Sequence, residues 1–555
     1  MAVDDPLNAT AGPLVVSDTI EEAAPLLDAV QADIEAHILE EQAEFEADEA
    51  EEEELSSRAL VTVFVSLYVG IFLAALDGTI VATLLAHIAS EFNELRSVSW
   101  IATGYMISVA AVQPIYGKIS DIYGRKIVLI GCNITFGVGS VLCGLAPSFW
   151  FLVGARILTG IGGGGLTSLT AITLSDIVPL RQRGVLQGIG NILWGCGAAF
   201  GGVVGGIITE AFGWRWAFLS QGPIIALSIL SLSLNLHLPV KEVDESRLKR
   251  IDFMGSFTLV STLVLFLFAL SIGGVYVPWF SVQVISALLL SALFFAAFMY
   301  VELKVAKEPI IPLHLLKDRT VFGSSFTSWF MNMTYYAQLY YIAIYFTSVR
   351  GVSPTKSGSS LIPHFIGDSI GALLVGYYMR ATGRYFPMIV FAAFSMVFGS
   401  LILCFVGTET PRWLIMTIIF VPGFGFGLYL TITLIALVAA VPREYQAIST
   451  SIQYGFKGTG STLGVSLSTA VFQNVLASKL YSRITGPGSE EIINKVKDSI
   501  DEVANLSPEL KEIIMKSYLD SVRAVFIFAT VLSILCAASS FLMKEHKLHN
   551  TVGRQ

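Results

Sequence analysis

The chain has 555 residues, of which 54% are hydrophobic and only 14% charged, and its mean hydropathy is +0.69. A soluble domain needs far more charge to cover its surface, so a soluble enzyme or binding module is excluded and an integral membrane protein is expected. The net charge of −9 is unevenly spread: the residues before Arg58 hold 18 of the 43 acids and no Lys or Arg, so an acidic tail precedes a basic body.

The tail, residues 1–57, has no sustained apolar run and ends in Glu51 to Glu54. Its composition predicts disorder, because it cannot bury enough apolar surface to offset chain entropy. It lacks the basic start and apolar stretch of a cleavable signal peptide. Within it, Glu22-Ala-Ala-Pro-Leu26-Leu27 resembles the acidic dileucine sorting signal, an acid three residues before paired leucines. That resemblance implies a clathrin-type adaptor as a partner and a lysosome-like or vacuolar destination. A chance match in an acidic tail is the competing explanation.

A spanning helix needs roughly twenty mostly apolar residues, which gives spans at about 59–88, 97–118, 126–145, 149–177, 184–210, 214–237, 253–273 and 280–303. The series continues at about 320–347, 356–380, 386–407, 412–440, 444–478 and 521–543, so about fourteen transmembrane helices are expected. The fold class is therefore all-α and polytopic. The five cysteines fall inside apolar runs without ligand spacing and are read as packing residues. No metal, organic cofactor or nucleic-acid signal is present.

Orientation follows from the basic residues. With the N-terminus in the cytosol, the even-numbered loops carry Lys118, Arg125, Lys126, Arg181, Arg183, Lys304, Lys317, Arg319, Arg380, Arg384 and Arg443, among others. The short opposite loops hold few, so both termini are expected to be cytosolic. One long loop, about 479–520, lies on the other side and is expected to be partly helical. It carries the sequon Asn505-Leu-Ser507, a glycosylation candidate weakened by Pro508.

Two Gly-and-Arg turns repeat: Gly117 to Lys126 between spans two and three, and Gly376 to Arg384 between spans ten and eleven. They suit two six-helix bundles of like topology, 58–238 and 319–543, with spans seven and eight inserted between them in 239–318. Residues 544–555 form a cytosolic tail. Paired bundles with a site at their interface are the architecture of alternating-access carriers.

Few ionisable side chains lie deep in the spans: Asp77, Arg156, Asp368, Lys457 and, less deeply, His364. Each is a functional candidate because a charge in the bilayer is costly. A buried carboxyl favours its protonated form, and a bound cation favours the ionised one. Asp77, with Thr79 beside it, can thus hold a proton or a cationic substrate; alternatively it pairs with Arg156 or Lys457. Asp368 and His364 are one helical turn apart on one face. They can bind an ammonium group or relay protons, or simply face a structural water. Lys457 either pairs with an acid or faces a substrate carboxylate. Thr79, Asn191, Tyr341 and Gln453 are the polar candidates for the substrate cavity. The span-nine group Tyr335, Tyr336, Gln338, Tyr340, Tyr341 and Tyr345 offers rings suited to a cation, though membrane-interface anchoring accounts for some of them.

These motifs carry a family resemblance. Gly117, Asp121, Gly124, Arg125 and Lys126 match the signature loop of the major facilitator superfamily, with Ile119 and Ile122 in place of its usual Leu and Arg. The resemblance implies a conformational latch in which Asp121 is held by Arg125 and by helix-terminal amides of the facing bundle. Arg156 to Gly160 resembles the fourth-span motif, with Thr159 where the family has Gln; it implies that Arg156 couples proton movement to substrate, against a structural Arg capping carbonyls. Gly197, Gly201, Gly205 and Gly206 look like the fifth-span antiporter motif, with Gly202 in place of its Pro. Lys457 stands where the family usually has Arg. With Trp214-Arg-Trp216 and Ile251-Asp252-Phe-Met-Gly255, the chain resembles the fourteen-span drug:proton antiporters, and most of all the fungal vacuolar basic amino acid transporters.

The expectation is a proton-coupled antiporter moving lysine, histidine and arginine from cytosol into the vacuole, monomeric, and not an enzyme. A multidrug or toxic-cation exporter at the plasma membrane is the rival, and a non-transporting nutrient sensor is the alternative of another class.

Overall fold

In the computed structural model the described residues are 57–92, 97, 100–178, 180–236, 250, 252–274, 276–306, 308–312, 314–352, 354–484, 508–546 and 548. Glu22, Leu26, Leu27 and Asn505 lie outside them.

Fourteen long helices run through the described residues. They are α1 (Ser57–Phe92), α2 (Trp100–Tyr123), α3 (Arg125–Gly144), α4 (Phe149–Ile177), α5 (Leu180–Phe212) and α6 (Trp214–Asn235, interrupted at Ser220). Next come α7 (Phe253–Ile272), α8 (Val282–Tyr300), α9 (Arg319–Ile344), α10 (Ile362–Thr382) and α11 (Phe386–Leu403). The last three are α12 (Arg412–Ala440), α13 (Gln446–Arg483) and α14 (Pro508–Ser540). The expected all-α architecture of about fourteen helices is what the chain adopts. Among the described residues, 11 helices are long and apolar enough to cross a membrane by length and composition.

The three that fall short of that apolarity are α2, α9 and α13, and they stand together, α13 packing on both α2 and α9. Neighbours cover much of their surface, and they carry many buried polar side chains. On α9 these include Ser324, Thr327, Ser328, Asn332 and Gln338; on α13, Ser449, Thr450, Ser451 and Gln453.

Two six-helix groups result. In the first, α4 packs on α2 and α3, and α6 on α3 and α5. Helix α1 joins it through Ser66, whose hydroxyl meets that of Ser231 on α6, and through Tyr68, which donates to the Leu186 carbonyl of α5. In the second, α12 packs on α10 and α11, and α9 on α13 and α14. The fourth helix of each group, α4 or α12, has the largest buried share of the 11.

Two seams join the groups: α2 with α13, and α5 with α10. Each unites the second helix of one group with the fifth of the other, as two related bundles would. Glycine makes the approach close. A Cβ on Gly117 would stand 2.6 Å from the Ala447 carbonyl oxygen, and one on Gly376 would stand 2.6 Å from that of Gly184. The turns after α2 and α10 both need a left-handed glycine, Gly124 (φ 87°) and Gly383 (φ 69°). Helices α7 and α8 pack on each other, with α7 lying along the α2/α13 seam.

The loop placed at 479–520 is partly helical, as expected: α13 runs on to Arg483 and α14 begins at Pro508. The two extensions hold each other: Arg483 Nη2 lies 2.6 Å from Asp520 Oδ2, and Leu480, Ile484, Ile514 and Tyr518 share an apolar cluster. Amphipathic helices paired in this way need no long apolar run, which is why these turns lie outside the spans marked by apolarity alone.

Candidate functional site

Besides Glu302, which accepts from the Ile311 amide after α8, the buried charges fall into three places. In the first group, Asp77 of α1 and Arg156 of α4 form an ion pair, with Nη1 2.6 Å from Oδ2. Gln221 of α6 donates to the other carboxylate oxygen at 3.3 Å. Arg156 Nε reaches the Ile101 carbonyl at 3.4 Å, and its guanidinium lies 4.4 Å from the centre of the Tyr105 ring. Thus Asp77 has a fixed counter-ion, the pairing alternative named above. Gln221 and Tyr105 went unnoticed in the sequence, although a Gln opening an apolar stretch is a signal of inward-facing polarity.

In the second group, α10 carries His364 and Asp368, both buried to 1% exposure or less. His364 Nδ1 lies 3.1 Å from the Ile419 carbonyl oxygen of α12. Its Nε2, Asp368 Oδ1 and the hydroxyl of Tyr335 on α9 have no hydrogen-bond partner among the described residues. The Tyr335 ring is 5.0 Å from His364 and stacks at 3.9 Å on Phe426 of α12. The one-turn spacing holds, but the imidazole turns toward α12 and no hydrogen bond joins it to Asp368. The helices meet at glycine: a Cβ on Gly423 would fall on the His364 carbonyl oxygen, one on Gly427 on that of Asp368, and one on Gly371 on that of Phe424. Among the described residues no basic side chain lies within ion-pair distance of Asp368.

The third place lies between the groups. Lys457 of α13 is 8% exposed, with Nζ 4.5 Å from the centre of the Tyr454 ring. Among the described residues no carboxylate lies within ion-pair distance of it, so of the two alternatives named above the acid partner is not found there. Across the interface, Gln187 of α5 donates to Asn191 Oδ1 at 3.1 Å and lies within reach of the Tyr454 hydroxyl. Asn191 Nδ2 has no partner. One turn on, Trp194 faces Tyr335 at 6.4 Å.

Other expected cavity residues are placed elsewhere. The Thr79 hydroxyl bonds to the Ala75 and Leu76 carbonyls of its own helix and sits against Gly201. Tyr341 belongs to an apolar cluster, 5.1 Å from Phe472. Gln453 donates to Ser324 and Ser328 inside the second group. Of the span-nine residues, Gln338 donates to Ser400, Tyr345 to the Gly407 carbonyl, and Tyr340 is exposed. Thr79, Gln338, Tyr341 and Tyr345 therefore satisfy local packing or hydrogen bonding, while Gln453 Oε1 is left without a partner among the described residues.

Of the fifth-span glycines, Gly197 and Gly201 lie against α1, where a Cβ would meet the Phe72 or Leu76 carbonyl. Gly205 is buried, and a Cβ on Gly206 would meet nothing within 4 Å. In the signature loop, Arg125 pairs with Asp121 at 2.6 Å and with Asp176 of α4 at 2.8 Å. Asp121 is thus held inside its own group, and Lys126 donates to the Ser233 carbonyl of α6. What crosses to the second group is the backbone at Gly117 and an Arg183–Gln446 hydrogen bond of 3.3 Å. Lys118 Nζ meets Glu308 at 2.6 Å, and Arg250 meets the same carboxylate at 2.8 Å. Asp176 and Glu308 are invisible to a motif search because each lies far along the chain from the loop it binds.

The sequence profile of the Major Facilitator Superfamily matches residues 67–465. Multidrug resistance protein fnx1 of Schizosaccharomyces pombe is 36% identical over 499 residues, covering 89% of this chain and 94% of that protein. Vacuolar membrane amino acid uptake transporter fnx2 of the same yeast is 36% identical over 496 residues, covering 89% and 86%. Multidrug resistance protein 3 of Bacillus subtilis is 31% identical over 498 residues, covering 88% and 96%. The solved structure of the human organic anion transporter MFSD10 superposes with a TM-score of 0.55 at 14% identity, covering 87% of this chain and 99% of that one, and so shares the fold.

Proposed function

The chain belongs to the Major Facilitator Superfamily as a membrane transporter, and we propose that it is a proton-coupled antiporter carrying basic amino acids from the cytosol into the vacuole. The observation that carries this reading is Asp368, a carboxyl 1% exposed, mid-helix, with an oxygen that has no partner. Such a group is stable as the neutral acid or, with a cation beside it, as the carboxylate. Proton and cation then exclude each other at one site, which is antiport. Asp77 is less suited to that exchange because Arg156 already neutralises it. We assign that pair a bracing role between α1 and α4, and the role of latch to the Gly117–Ala447 contact across the groups, with Arg125 and its two carboxylates holding the loop that makes it.

Vacuolar amino acid carriage is supported by the relative named as a vacuolar amino acid uptake transporter. One proton exchanged for one monovalent cation moves no net charge. Each unit of pH difference then supports about 1.4 kcal/mol, roughly tenfold accumulation.

The second reading, export of lipophilic cations at the plasma membrane, draws on a relative of equal identity named as a multidrug resistance protein. One experiment separates them: ATP-energised uptake of labelled lysine, histidine and arginine into vacuolar vesicles, beside a lipophilic cationic dye. We expect uptake of the three amino acids, lost when the pH gradient is collapsed. Dye movement without amino acid uptake would overturn the amino acid assignment in favour of the exporter.

A further inference from the structure

Lys457 presents an unsolved electrostatic problem. Its ammonium is enclosed at the interface of the two groups, within the thickness the helices span, yet no carboxylate of the described residues compensates it. The Tyr454 ring face, 4.5 Å away, is a weak partner for a full charge. A buried cation in that state favours a mobile anion.

A second donor waits on the other side of the interface. Asn191 is 6% exposed; its oxygen is taken by Gln187, which orients the amide and leaves Nδ2 facing away without an acceptor. Gln187 in turn reaches toward Tyr454, one turn from Lys457 on α13. So the first group presents a neutral donor, Asn191, held by Gln187, and the second a charged donor, Lys457, over the Tyr454 ring. Asn191 Nδ2 has no acceptor and Lys457 Nζ no carboxylate partner among the described residues, and each of these two atoms can only donate.

From this we infer that Lys457 and Asn191 hold the α-carboxylate of the transported amino acid, making that carboxylate a condition of transport. The inference rests on the amino acid reading above and refines it: Asp368 takes the cationic end, Lys457 and Asn191 the anionic end. A substrate bound to both groups at once bridges their interface, so it engages the surfaces that must move apart. Lipophilic cations, which lack a carboxylate, would leave Lys457 uncompensated and be disfavoured.

The test compares lysine with cadaverine, its decarboxylated counterpart, in proteoliposomes holding the full chain under a fixed pH gradient. Wild-type protein should prefer lysine by about tenfold or more. Lys457→Gln should abolish that preference, chiefly by raising the KM for lysine. Lys457→Arg, which keeps the charge, should restore it, showing that the Gln variant's loss is not misfolding. Asn191→Leu should raise the KM for lysine more than that for cadaverine, narrowing the preference. Equal wild-type transport of lysine and cadaverine would overturn the inference while leaving cation antiport standing. A Lys457→Gln protein with wild-type preference would also overturn it, with amino acid transport intact. No lysine transport by the wild type would instead remove the amino acid reading, and this inference with it.

Discussion

Arg156 Nη1 stands 2.6 Å from Asp77 Oδ2, with neither side chain more than 1% exposed. The contact joins the first and fourth helices of one group within their candidate membrane spans. Removing one partner strands the other's charge or hydrogen-bonding capacity where water cannot reach it. Asp77→Asn should therefore lower stability by about 3–5 kcal/mol, seen as a fall in the melting temperature of purified protein. Adding Arg156→Met should recover most of that loss. If the double variant melts no higher than Asp77→Asn alone, the brace is not electrostatic.

Asp368 has no such partner, so its neutral isostere should fold well. Asp368→Asn should keep a near-normal melting temperature yet lose proton-driven accumulation. Substrate exchange at equal pH on both sides should persist. Proton movement read with a pH-sensitive dye during substrate addition is the direct check. A variant that still acidifies or alkalinises the lumen in step with substrate would move the proton site elsewhere.

Glycine at α10 and α12 is a packing requirement, since Gly371 and Gly427 leave no space for a Cβ beside the Phe424 and Asp368 carbonyls. Gly427→Ala and Gly371→Ala should each destabilise by about 1–3 kcal/mol through overpacking. Gly206→Ala, at a position where a Cβ meets nothing within 4 Å, should be close to neutral. Thermal melts of the three proteins settle the ranking.

Glu308 ties the segment after α8 to the signature loop. Hydrogen bonds from Arg250, then from Lys118, hold its carboxyl below the usual glutamate range. The sign follows: a lowered folded-state pKa gives stability that is full above the ordinary value and is lost as pH falls through the lowered one. The stability gap between wild type and Glu308→Gln should stay constant from about pH 6 to 8 and close below about pH 4. The carboxylate is about a third exposed, so the gap should be modest, about 0.5–1 kcal/mol, and shrink in high salt. A gap that widens on acidification would contradict the ion-pair account.

Hydropathy and loop chemistry made the helix count, the repeat and the membrane class legible, because lipid imposes a length and polarity rule on each span separately. Asp77, Arg156, Asp368 and Lys457 stood out in the chain for the same reason: charge inside an apolar run is rare enough to see without a fold. Their partners were another matter. Whether Asp77 or Asp368 is neutralised depends on which helix faces which, and Arg156 meets Asp77 across 79 positions of sequence. Likewise Thr79 and Tyr341 read as cavity residues until helix rotation turned one against Gly201 and the other toward Phe472. Composition along the chain decides what a span is made of. Only packing decides which faces meet, because side-chain partnership is set by helix rotation and close approach, quantities that a linear pattern of polar and apolar residues leaves free.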